Sequence, residues 1–172
     1  MQPNVDFREV ERNFIKMNDP CRKSEVAIRV AEFMELAKQP VKDSPCMPEK
    51  KIRKLSAELI LEECVETIES LGCRVIVGDS GKLEIFQLNS DNAFDMEGAV
   101  DGCLDTIYVC HWALNAMGVS DALPMLEVCD ANDRKFAEGH WIDDSGKLRK
   151  PPGWVGPDIS GAIEAQSHWK GI

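Results

Sequence analysis

Residues 98–118, GAVDGCLDTIYVCHWALNAMG, are apolar on nearly every side of a helix yet carry Asp101 and Asp105. A helix with no polar face has to be covered, so this one is expected to be buried. Burying an ionised carboxylate without a partner costs several kcal/mol. The two aspartates are four residues apart and share one helix face, and Glu97 extends their line by a turn. No lysine or arginine stands near them in sequence to pair with them.

A second stretch raises the same difficulty. AELILEECVETIES, residues 57–70, holds Glu58, Glu62, Glu63, Glu66 and Glu69 and no lysine or arginine. At 100° per residue, Glu62 and Glu66 lie within about 20° of the line through Leu55, with Glu58, Glu63 and Glu69 on their flanks. Ile60, Leu61, Cys64, Val65, Ile68 and Leu71 take the opposite arc. Taken alone this is an amphipathic helix with a solvated acidic face. Leu55 and Leu59 on the acidic arc, and like charges at i,i+4, count against that reading. Two helices that each carry an acidic line share one solution, which is to pack the lines together around divalent cations. Oxygen-only ligands select hard ions, so Mg²⁺ or Mn²⁺ is expected. The alternative has Asp101 and Asp105 bonding backbone groups or a distant arginine.

The surrounding chain reads as helical. Helices are expected over 6–17, from an N-cap at Ser24 to a break at Pro40, over 49–71 closed by Gly72, over 93–117 closed by Gly118, and from Ser120 to about Phe136. Val26, Val30, Phe33 and Ala37 mark the apolar face of the second. Apolar runs flanking GDSG place a β-hairpin insertion at 73–90. Residues 137–172 form a Gly- and Pro-rich arm, mostly irregular, with a short helix near 159–167. The expected architecture is all-α: one domain over 1–172, a helical bundle with an N-terminal helical extension over 1–27, the hairpin insertion and the extended C-terminal arm.

With 172 residues, the chain can bury a core. A net charge of −10 argues against nucleic-acid binding, which requires neutralising phosphates. Seven cysteines, without C-x-x-C spacing, read as thiols in a reducing cytoplasm. No apolar run is long enough for a membrane span, so neither membrane nor nucleic acid is an expected partner.

Glu62, Glu63 and Glu66 in EECVE, followed some forty residues later by DGCLDTIYV, resemble the all-α nucleoside triphosphate pyrophosphohydrolases of the MazG-like group. The commoner pattern of that group has Glu three residues before the second Asp. Gly102 stands there, and Asp101 is the substitute, as in a phage and bacterial subgroup whose second motif reads D-x-x-x-D. FMELAKQPVKDSPCMPEKKIRKLSAELILEE, ANDRKF and DDSGKLRKPPGWVGPDI resemble that subgroup over about residues 28–160.

The resemblance implies metal-dependent hydrolysis of a deoxynucleoside triphosphate to the monophosphate and pyrophosphate. It implies Glu62, Glu63, Glu66, Asp101 and Asp105 as ligands of two or more Mg²⁺ or Mn²⁺ ions, with Glu62 and Glu63 as the catalytic pair. It implies Asn132, Arg134, Lys135, Lys147 and Lys150 as substrate-binding groups, Asn132 and Lys135 foremost. Arg149 belongs to the same tail cluster. For Arg134 and Lys135 a helix C-terminal cation pair is the bland alternative. A homodimer or homotetramer and a cytoplasmic location, the host's for a phage enzyme, follow from the same resemblance. The substrate suggested is dGTP, with dATP second, supplying dGMP for 2-aminoadenine nucleotide synthesis. The alternatives are a house-cleaning enzyme acting on dUTP, dCTP or non-standard nucleotides, and a non-catalytic nucleotide-binding helical protein. Trp112, Trp141 and Trp154 are candidates for stacking, Trp112 reading better as core and Trp154 as a residue packing the arm onto a neighbouring subunit. Asn18 and Asn115 are candidates for a base edge. His111 and His140 read as structural.

Overall fold

The computed structural model describes residues 10, 13–15, 19–79, 81–88 and 93–168. Most of the helix expected over 6–17, and Asn18 after it, lie outside the described residues. In chain order the elements are α1 (Glu25–Leu36), α2 (Lys50–Ser70), β1 (Cys73–Val77), β2 (Leu83–Gln87), α3 (Met96–Met117), α4 (Ala122–Asp133) with a 3₁₀ turn (Arg134–Phe136), β3 (Trp141–Ile142), β4 (Leu148–Arg149) and α5 (Ile159–His168). The fold is all-α in character with two small hairpins. Gly72 and Gly118 follow α2 and α3 at φ +74° and +69°, the left-handed conformation that ends a helix at little cost for glycine. Among the described residues, no helix is long and apolar enough to cross a membrane.

The chain divides into two compact units. The first comprises Val26–Val41 and Cys46–Met117. Its core is Val30 and Met34 of α1 against Trp112, Ala113 and Ala116 of α3, with Ile52, Leu55, Leu59 and Ile60 of α2 packed on it. Fully burying side chains such as Val30 and Met34 contributes about 1.5–3 kcal/mol each. Two polar bonds pin this core: the Trp112 indole N–H donates to Gln39 Oε1 at 2.8 Å, and Asn115 Nδ2 donates to the Ala27 carbonyl at 2.9 Å. In α1 the buried residues are Ala27, Val30 and Met34, whereas Val26 and Phe33 are about half exposed. The expected face is rotated because Phe33 serves as an edge-on partner for Tyr108, with ring centroids 6.0 Å apart.

Helices α2 and α3 run side by side through a seam of glycine. A Cβ on Gly102 would stand 2.6 Å from Thr67 Oγ1 and 3.0 Å from Thr67 Cα, and one on Gly98 would stand 2.8 Å from Ser70 Oγ. A side chain at 102 would have to displace Thr67, so the glycine found there suits this packing. The two threonines also meet across the seam, Thr67 Oγ1 lying 3.4 Å from Thr106 Oγ1.

The expected burial of α3 is corrected. Its second half is core, but Val100, Leu104 and Ile107 are 52, 59 and 49% exposed, and Asp101 and Asp105 are exposed as well. The face of α3 opposite the glycine seam has no cover among the described residues. On α2 the packed arc is also rotated from expectation. Leu61 is 60% exposed while Glu63 is half-buried. The glycine seam draws the Thr67 side of α2 inward, and Glu63 comes with it.

Strands β1 and β2 pair antiparallel from Cys73–Gln87 to Val77–Leu83. The chain is tied just inside this hairpin by an antiparallel bridge between Leu71 and Phe94, and the Asp95 N–H donates to the Ser70 carbonyl at 2.8 Å.

The second unit comprises the described residues of Met1–Glu25, Lys42–Pro45 and Gly118–Ile172. Ile15, Leu123 and Ala162 form its core. Gln166 of α5 makes a buried pair of bonds to Ser120, donating to its carbonyl at 3.0 Å and accepting from its N–H at 2.8 Å. The arm is more ordered than its composition suggests, because β3 and β4 form a second hairpin. Two residues per strand show no alternation to read. Asp143 organises the turn instead, accepting from the Ser145 N–H and hydroxyl, the Lys147 N–H and the Arg149 guanidinium. These bonds hold the Asp143 carboxyl down at about 2.

The glycine seam predicts that Gly102→Val lowers unfolding stability by about 2 kcal/mol, from overpacking against Thr67. Thr67→Gly in that background is expected to recover part of the loss despite its own helix penalty. Urea unfolding of the four proteins of the cycle measures the coupling; additive effects would contradict the contact.

Candidate active site

The five acidic side chains are presented by two helices of one unit. Glu62, Glu63 and Glu66 come from the middle of α2, and Asp101 and Asp105 from the first half of α3. They stand between the two contacts that hold the helices together. On one side lies the apolar packing of Leu59 and Ile60 with Tyr108 and Trp112, on the other the Thr67–Gly102 seam.

Glu63 reports their proximity. Its carboxyl is pushed above the usual range first by partial desolvation, then by the charges of Asp105, Glu66, Glu62 and Asp101. An acid this crowded by like charges binds a proton, or another cation, more readily than a free glutamate. None of the five carboxylates has a side-chain hydrogen bond or ion pair among the described residues. The alternative of an arginine or backbone partner for Asp101 and Asp105 therefore finds no support there. Glu58 differs: Lys54, four residues earlier, pairs with it, and both are exposed. It belongs to the solvated face.

An all-oxygen donor set with uncompensated charge fits hard divalent cations. Among the described residues, no three acidic, histidine or cysteine side chains already converge on one point.

The basic candidates belong to the second unit. Asn132 Nδ2 donates to the Val128 carbonyl, and Lys135 Nζ donates to Asn132 Oδ1 at 2.6 Å. Lys135 also lies over the Trp154 ring at 5.8 Å, and Lys150 lies over it at 4.0 Å. Lys135 and Lys150 thus lie over one indole, and Asn132 is bonded to Lys135. Arg134 is engaged otherwise, donating to the Val155 and Gly156 carbonyls of the arm. Arg149 is bound to Asp143, and Lys147 is exposed in the second hairpin.

Trp154 packs the arm within its own chain, with Nε1–H donating to the Ala131 carbonyl at 2.7 Å. Trp112 is core at 3% exposure, and Trp141 is exposed on β3. Asn115 is buried against α1 and presents no edge to a base. His140 bonds the Ala137 carbonyl through Nδ1. Sequence reasoning missed the grouping of Lys135 and Lys150 on Trp154. The KPPGW turn was the available signal, since its prolines and glycine fold Trp154 back toward Lys150.

No curated protein matches the chain. The sequence profile of the phosphoribosyl-ATP pyrophosphohydrolase family matches residues 30–133, more than half of the chain. The match takes in α2, α3 and α4, hence all five carboxylates and Asn132, and ends before Arg134, Lys135 and the arm. That family lies within the MazG-like all-α nucleotide pyrophosphohydrolases, a superfamily that typically uses divalent metals. The chain belongs to the phosphoribosyl-ATP pyrophosphohydrolase family and is an enzyme of the nucleotide pyrophosphohydrolase class.

Proposed function

We propose that the protein hydrolyses a deoxynucleoside triphosphate, dGTP first and dATP second, to the monophosphate and pyrophosphate. The observation that carries the reading is the uncompensated charge of four carboxylates around Glu63, together with family membership. The finer suggestion is a cyanophage MazZ-type role, supplying dGMP for 2-aminoadenine nucleotide synthesis. It is supported by the D-x-x-x-D motif of Asp101 and Asp105 and by the arm sequence. The family's own description favours a second substrate, phosphoribosyl-ATP. House-cleaning action on dUTP or dCTP stands behind both.

In this reading Glu62, Glu63, Glu66, Asp101 and Asp105 hold two or more Mg²⁺ or Mn²⁺ ions. Such ions, when bound, supply a positive field for the phosphates, neutralise the leaving pyrophosphate and lower the pKa of the attacking water. Glu62 or Glu63 takes up the one proton that water loses. Water adds to the α-phosphorus, and the bond from that phosphorus to the bridging oxygen breaks, its electrons leaving with pyrophosphate. Asn132, Lys135 and Lys150 donate to phosphate oxygens, with Arg134 and Lys147 as further cations. The reading includes a homodimer or homotetramer. It is supported by exposed Val100, Leu104 and Ile107 and by an open apolar groove of about 390 Å³ lined by Cys64, Thr67, Ile68, Cys103, Thr106 and Ile107.

Each dNTP and phosphoribosyl-ATP, incubated with Mg²⁺ or Mn²⁺ and resolved by ion exchange, tests the reading. Monophosphate and pyrophosphate from dGTP are expected; phosphoribosyl-ATP as the preferred substrate would replace the dGTP reading. Orthophosphate and a diphosphate would mean that another bond is cut.

Glu66→Gln and Asp105→Asn are each expected to lower kcat at least about 100-fold while leaving the oligomer unchanged by light scattering. Near-full activity would remove those residues from the ligand set.

Glu63→Gln removes one charge from a like-charge cluster. It is expected to raise the Tm of metal-free protein at pH 7 by about 1–3 °C and to diminish the further rise that Mn²⁺ gives the wild type. A wild-type Tm unmoved by Mn²⁺ would remove metal from the reading.

A further inference from the structure

We propose that Trp154 is a positioning residue, its indole holding Lys135 and Lys150 together as a two-lysine claw for the phosphate chain of the nucleotide. The inference rests on the nucleotide reading above. Two ammonium groups repel each other, and nothing in their sequence spacing brings residues 135 and 150 together. The negative π-faces of an indole attract cations, so one ring can hold both. Here Lys150 Nζ lies 4.0 Å and Lys135 Nζ 5.8 Å from the Trp154 ring centroid.

The ring is itself fixed. Its N–H donates to the Ala131 carbonyl near the end of α4, and the residues after it are tied down by Arg134 on the Val155 and Gly156 carbonyls. Lys135 is held from the other side by Asn132 Oδ1. Lys150 has no hydrogen bond or ion pair among the described residues, so its three N–H donors are uncommitted. Held cations with spare donors suit a polyanion whose oxygens can bridge them, and a phosphate chain offers such oxygens. In a chain of net charge −10 such a pair needs local organisation to attract an anion at all.

The test is calorimetric titration of the metal-free full-length protein with inorganic tripolyphosphate, beside nucleotide kinetics in Mg²⁺. Trp154→Leu is expected to weaken tripolyphosphate binding about 5-fold. It should raise KM for the nucleotide by a similar factor, with kcat within about 2-fold of wild type. Trp154→Phe, which keeps a ring but loses the indole N–H, should fall between the two and guards against a folding defect in the leucine variant. In a Lys150→Gln background Trp154→Leu should weaken binding by less than about 2-fold, because half of what the ring holds is already gone. Three results would overturn the claw: no tripolyphosphate binding by wild type, equal affinity in wild type and Trp154→Leu, or the full factor persisting in the Lys150→Gln background. Failure of the nucleotide reading is distinct, since wild type would then hydrolyse no nucleotide whatever stands at position 154.

Discussion

The approach of α2 to α3 across Gly98 and Gly102 is the constraint on which the carboxylate site depends. Without a side chain on either glycine, Thr67 and Ser70 of α2 take the space. At the other end of the pair, Trp112, Ala113 and Ala116 of α3 gather Ile52, Leu55, Leu59 and Ile60. The helices are clamped at both ends, and Glu63 and Asp105 lie between the clamps. Packing thereby forces like charges together that would separate in water. Dispersion and burial along the two helices are thereby set against Coulomb repulsion between the acidic side chains they carry.

Much of this was legible in the residues. The helices over Lys50–Ser70 and Met96–Met117 follow from apolar periodicity and terminal glycines, and the first hairpin follows from GDSG. That the acidic residues of the two helices belong to one unit was legible too, since both helices were expected in one bundle. The rotation of each helix was not. Glu63 and Leu61 are two positions apart, and which of them turns inward depends on the partner surface, here a glycine seam that periodicity alone does not weigh. The exposure of Val100, Leu104 and Ile107 was illegible for a related reason: an apolar residue reads as buried whether its cover comes from its own chain or elsewhere. The β3–β4 hairpin escaped notice because a side-chain knot at Asp143, not strand patterning, specifies it.

The cations of the arm show how a long-range arrangement can rest on one aromatic residue. Lys135 sits within the 3₁₀ turn after α4 and Lys150 follows β4, and both lie over Trp154. Arg134 also donates to two carbonyls of the arm, Val155 and Gly156, and so ties the arm to the turn after α4.

The bridge between Leu71 and Phe94 has a consequence for how the chain can vary. It closes the α2–α3 connection before β1 begins, so the hairpin from Cys73 to Gln87 hangs outside a loop already shut. A lone two-stranded hairpin is marginal in water, and the entropy of a closed loop grows only slowly with its length. The hairpin is in that sense a removable appendage. Lengthening, shortening or replacing it changes what protrudes from the molecule while the register of α2 against α3, and with it the spacing of the carboxylates, is already set.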